Sequence, residues 1–139
     1  MVFKLLIALG LMAFCVTVHA VGLAGANHWL RRRGVNVDPR FWPPIWILIC
    51  IATWIILLHL VQIGFWAAFY TWQHGMPDFQ SAFYFSAVTY TTTGYGDLVL
   101  PAEWRLVGGI EALTGILMCG LSTGCFFAVL IKLFGVRTQ

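Results

Sequence analysis

The sequence predicts an all-α membrane protein, and three observations carry that expectation. Of 139 residues, 60% are hydrophobic and 9% charged, with a mean hydropathy of +0.86, a balance that belongs in a bilayer. Leu5 to Leu30, Phe41 to Pro77 and Ala112 to Ile131 contain no Asp, Glu, Lys or Arg, and each reaches the roughly 20 residues that a spanning helix needs. Between the second and third stretches, the segment from Phe79 to Thr91 is too short to span and too apolar for a solvated loop. One membrane domain with three transmembrane helices and a short re-entrant helix is expected.

The first helix is assigned to residues 1–30. Lys4, the apolar run to Val18 and small residues at Ala20, Ala24 and Ala26 also fit a secretory signal peptide. Charge argues against cleavage, because Arg31, Arg32, Arg33 and Arg40 follow directly and such a cluster stays cytoplasmic. Residues 31–44 therefore read as a basic cytoplasmic linker, with the N-terminus outside. The second span runs outward, the segment from Asp78 to Arg105 lies outside, and the third span returns to Lys132 and Arg137. The net charge of +3 needs no nucleic-acid partner, since the basic residues flank the spans. Cys15, Cys50, Cys119 and Cys125 fall within apolar stretches without metal or disulfide spacing.

The second span, 45–73, starts after Pro43-Pro44, where proline suits a first helical turn. Phe41, Trp42 and Trp46 mark its inner interface, and Trp66, Tyr70 and Trp72 its outer one. Gly75-Met76-Pro77-Asp78 breaks the helix, and Asp78 is placed to cap a short helix at 79–91. Residues 92–97 are expected to be non-helical at membrane depth, which is tolerated where backbone lines a hydrated cavity. The third span is 104–134.

Thr91-Thr92-Thr93-Gly94-Tyr95-Gly96-Asp97 joins these elements. Gly94 and Gly96 can adopt positive φ without steric cost, so residues of alternating handedness can aim successive carbonyls at one axis. Carbonyls so aimed replace the hydration shell of an ion. The run Thr92-Thr93-Gly94-Tyr95-Gly96-Asp97 resembles the signature of the potassium-channel pore family, with Thr93 where that family more often carries Val. The resemblance spans about Trp46 to Phe134, a pore domain of 45–135, and leaves the first helix outside.

The resemblance implies a homotetramer in lipid, selective for K+ as the permeant ion, with no cofactor, no small-molecule substrate and a location in the plasma (cell inner) membrane. Thr92, Thr93, Gly94 and Tyr95 would offer carbonyls to K+, the Thr92 hydroxyl would complete the innermost site, and Gly96 would close the filter. Tyr95 would brace the filter from behind. Asp97 would accept a hydrogen bond there; the pore-helix position that holds Glu in some channels is Val88, which leaves Tyr84, Trp104 or solvent as its partner. Gly115 matches the inner-helix hinge glycine, although close helix packing explains a glycine equally well. Ile116, Thr123 and Phe127 share one direction on the third helix, with Cys119 about 60° away, as the cavity-facing stripe; Cys125 falls on the far side.

Glu111 is an ionisable group inside a span, expected to bond to the pore helix for rigidity rather than to meet ions. His59 and Gln62 are expected to bond neighbouring helices, and His74 sits near the outer loop. Gly22 and Ala26 have the spacing of a helix-packing face. Gly120-Leu121-Ser122-Thr123-Gly124 fits the spacing of a hydrolase elbow, but no strand is expected before it and Ser122 is expected to bond back to its own helix. An intramembrane serine hydrolase and an accessory channel subunit are the alternatives to a channel. The first span lacks the repeated arginines of a voltage sensor.

Overall fold

The computed structural model describes residues 2–32 and 42–134. Arg33, Arg40 and most of the expected 31–44 linker lie outside the described residues, as does Arg137. Four helices follow in order: α1 (Val2–Arg32), α2 (Trp42–Trp72), α3 (Phe79–Tyr90) and α4 (Arg105–Phe134), the last entered through a 3-10 turn at Ala102–Trp104. No strand occurs among the described residues. The three long helices are each long and apolar enough to cross a membrane; α1, with 31 residues, extends about 46 Å.

α2 begins at Trp42 and not at residue 45, because prolines at 43 and 44 are compatible with the first turn, where no N–H partner is required. Its exit differs from the expected break at Gly75. His74 takes the left-handed conformation, with φ 54°, while His74 N–H donates to Thr71 O at 3.1 Å and Gly75 N–H to Tyr70 O at 2.9 Å. That pair of bonds is a Schellman termination with His, not Gly, at its left-handed position.

α1 and α4 run in the same direction, and α2 runs against both. At one end Lys4 Nζ lies 3.2 Å from Glu103 Oε2 and 3.9 Å from the Trp104 ring centroid. At the other end Leu30 packs with Ile51, Ile55, Val129 and Leu133. The start of α1 therefore lies beside the entry to α4, and its end beside the end of α4. α1 is part of the core, for Ala8 and Cys15 are fully buried among Trp66, Tyr70, Tyr90 and Met118. Gly22 packs directly on α2: a methyl group there would overlap Leu58, and Gly22 O accepts a bond from Trp54 Nε1 at 3.0 Å. The small-residue face of α1 is thus used within its own chain.

Candidate functional site

α3 is capped as its sequence demands. Asp78 accepts from Ser81 N–H at 2.8 Å and from Ser81 Oγ at 2.9 Å, and those bonds hold its carboxyl below the usual carboxylate range. The other end of α3 is where the site begins. Thr91 is the C-cap; Thr92 N–H donates to Thr89 O at 2.9 Å and Thr93 N–H to Val88 O at 2.9 Å. This is a second Schellman termination, and it requires a left-handed residue at Thr92. Thr92 has φ 60°, a strained value for a β-branched side chain. Gly94 follows with φ 58° and Gly96 with φ 77°. Positions 92, 94 and 96 are therefore all left-handed, and neither Thr93 nor Tyr95 is.

The side chains behind this strand form short, local bonds. Thr91 Oγ1 donates to Ala87 O at 2.7 Å and so accepts from Thr93 Oγ1 at 3.0 Å. A hydroxyl at position 93 thus has a partner that Val would lack. Val88 supports the strand through its backbone, since its carbonyl accepts from both Thr93 and Gly94 N–H at 2.9 and 3.2 Å. Tyr84 Oη donates to Asp97 Oδ2 at 2.7 Å, whereas Trp104 is buried against Phe69 and Lys4. Thr92, Thr93, Gly94, Tyr95, Gly96 and Asp97 are all exposed on the single chain.

The Tyr84 hydroxyl holds the Asp97 carboxyl below its ordinary range, and Asp97 in turn raises the Tyr84 phenol. A depressed carboxyl contributes above its unfolded value and is lost as pH falls through the folded one; a raised phenol contributes below its unfolded value and is lost as pH rises through the folded one. The bond is thus intact across the range from about pH 4 to 10. Tyr84→Phe is expected to move the Asp97 titration up towards the ordinary carboxylate range, because the hydroxyl that holds it down is gone, read from its carboxyl carbon shift by NMR. An unchanged titration would show that the backbone N–H groups of Asp97 and Leu98 hold the carboxylate without Tyr84.

The family described as "Ion channel" matches residues 45–132, from the first turn of α2 to the last turn of α4. The chain belongs to this ion-channel family. Comparison with curated proteins and with solved structures gives no match. The matched stretch contains nearly all of α2 and α4 with α3 and the left-handed strand between them, and α1 lies outside it.

Within the channel, Glu111 is fully buried and is held from two helices: Tyr70 Oη of α2 donates to Glu111 Oε2 at 2.8 Å, and the Ser86 side chain of α3 lies against the same carboxyl. α2 supplies the aromatic that reaches into the interior at this level, which composition alone could not show. Gly115 packs against the last residue of α3, where a methyl group would overlap the Tyr90 carbonyl oxygen and lie 2.7 Å from its carbon. Close approach therefore gives this glycine a reason independent of bending. At Gly120 and Gly124 a methyl group would have no neighbour within 4 Å among the described residues.

Ile116, Cys119, Thr123 and Phe127 are all exposed on the single chain, and Cys125 is half-buried. Cys119 and Thr123 border a cavity of about 330 Å³ between α2 and α4 that also involves Ile55, His59 and Phe126; Ile116 and Phe127 lie outside it. Ser122 departs from expectation. Its Oγ does not bond back to α4 but lies 2.8 Å from His19 Nε2 and 3.1 Å from His59 Nε2. A serine against an imidazole resembles a hydrolase pair, yet Ser122 is in the middle of a continuous helix. Interior N–H groups there are committed to the helix, so no oxyanion donors are free. No signal in the sequence identified His19, the residue on α1 that completes this group; its partners Gln62 and Ser122 come from α2 and α4.

Proposed function

We propose that this channel is a homotetramer selective for potassium, with Thr92, Thr93, Gly94 and Tyr95 presenting carbonyl oxygens to K+ and Gly96 closing the strand. The observation that carries the reading is the left-handed backbone at 92, 94 and 96 directly after the end of α3. Alternation of handedness turns carbonyls of neighbouring residues the same way, which is the arrangement needed to replace water around a cation. The exposure of this strand on one chain suits a ring in which other copies supply the remaining oxygens, and closed symmetry is usual for identical subunits. The C-terminal end of α3 carries the negative end of its dipole and favours a cation beside it. Arg31, Arg32 and Lys132 end α1 and α4 at the end opposite the filter, which by the positive-inside rule supports an N-terminus and filter mouth on the outside; the membrane of this reading is the plasma (cell inner) membrane. No cofactor or small-molecule substrate enters this reading; K+ and membrane lipid are its partners.

Flux through liposomes containing only this protein tests it. Potassium and rubidium are expected to pass and sodium and lithium to be excluded. Equal passage of all four ions would overturn selectivity, and no flux from correctly inserted protein would make the chain an accessory subunit.

A further inference from the structure

Five side chains from all four helices meet between the apolar cluster that holds Trp66, Tyr70 and Met118 and the one that holds Leu30, Ile51 and Val129. Tyr90 Oη donates to Gln62 Oε1 at 2.9 Å, and Gln62 Nε2 lies 2.7 Å from His19 Nδ1. His19 Nε2 is 2.8 Å from Ser122 Oγ, Ser122 Oγ is 3.1 Å from His59 Nε2, and His59 Nδ1 is 3.2 Å from Tyr90 Oη. The bonds therefore close on themselves. Their direction follows from one further contact, because Gln62 Nε2 also donates to Leu58 O at 3.2 Å. A backbone carbonyl accepts only, so this atom is the amide nitrogen and the Gln62 oxygen must face Tyr90.

Every remaining role is then determined. Gln62 donates to His19 Nδ1, His19 Nε2 donates to Ser122, Ser122 donates to His59 Nε2, and His59 Nδ1 donates to Tyr90. Each imidazole uses one nitrogen as donor and one as acceptor, the proton count of a neutral ring. His19, Gln62, Tyr90 and Ser122 are buried and His59 is half-buried, so any opening of the circuit leaves a polar group without a partner in an apolar interior.

Tyr90 is the last residue of α3, and the left-handed strand begins two residues later. Its carbonyl rests on Gly115 and its hydroxyl closes the circuit. We infer that His19 of α1 is a positioning residue for the ion filter: through the Gln62–Tyr90 and Ser122–His59–Tyr90 arms of the circuit it holds the end of the pore helix, so that α1 is a working part of the pore. This inference rests on the potassium-filter reading and adds to it the role of the helix outside the matched domain.

The test is the potassium-to-sodium permeability ratio of the full chain in liposomes, measured for assemblies that elute as the wild type does. Ser122→Ala, which removes one hydroxyl, and His19→Leu, which keeps the bulk and removes both nitrogens, are each expected to lower the ratio by roughly fivefold to tenfold, the effect of one buried partner lost. The double variant is expected to be no worse than the more affected single variant, because both open one circuit. His19→Gln, which carries an acceptor and a donor, is expected to recover part of the ratio, and His28→Leu on the exposed side of α1 to leave it unchanged. Should His19→Leu fail to assemble, Ser122→Ala and Tyr90→Phe decide. Wild-type ratios in those variants, or losses in the double variant that multiply independently, would overturn the inference while leaving the filter reading intact. Wild-type protein that conducts sodium as well as potassium would overturn both.

Discussion

Gly115→Ala is expected to destabilise the channel and disturb conduction together. The added methyl group would overlap the Tyr90 carbonyl oxygen, which is backbone and cannot rotate aside. Relief must come from moving α4 away from the end of α3. Overpacking of this kind costs typically about 1–3 kcal/mol and occasionally more, and here the displaced group is the residue that leads into the left-handed strand. Thermal unfolding in detergent and ion flux are both expected to suffer. Gly120→Ala, where a methyl group has no neighbour within 4 Å among the described residues, is the comparison and is expected to unfold at the wild-type temperature. A Gly115→Ala protein of normal stability whose only fault is a reduced open fraction would return the glycine to the role of a hinge.

Gly94→Ala acts through the backbone alone. Apart from its chain neighbours, none of the described residues comes within 4 Å of the position a Cβ would take, but φ is 58°. An L-residue with a Cβ pays about 1–2 kcal/mol in that conformation, and in the proposed ring of four the cost recurs in every subunit. The strand is expected to leave the left-handed conformation and rotate its carbonyl, so that potassium discrimination collapses while the helices remain folded. Helix content by circular dichroism should be unchanged and the potassium-to-sodium flux ratio should approach one. Retention of normal discrimination would mean that position 94 does not present an oxygen to the ion.

Thr92 marks how far local rules carry. Glycine at 94 and 96 advertised positive φ, because it is the residue for which that conformation is free. Nothing advertised it at Thr92 or His74, where the demand comes from the way a helix is terminated and is met by a residue that pays for it. The Asp78 cap was legible because a carboxylate three residues before Ser81 satisfies N–H groups that every helix start leaves open. Glu111 was recognisable as exceptional, being a carboxylate in a span, but the sequence suggested the pore helix alone as its support, and Tyr70 of α2 donates to it beside the Ser86 side chain of the pore helix. Choosing between two partners at sequence separations of tens of residues depends on how helices rotate about their axes, and residues apolar on all sides do not specify rotation.

Determined by the sequence alone were the number of spans, the short helix between the last two, its cap and the glycines of the strand, because bilayer thickness, backbone hydrogen bonding and Cβ sterics are local constraints that each residue meets or fails where it stands. Only the tertiary structure decided that α1 lies in the core alongside α4, that Gly115 is where two backbones touch, and that His19, His59, Gln62, Tyr90 and Ser122 close a single circuit. Those facts depend on which faces of four helices meet. In an interior where almost every face is apolar, that choice is made by a few polar atoms that must find one another and a few glycines that let backbones approach.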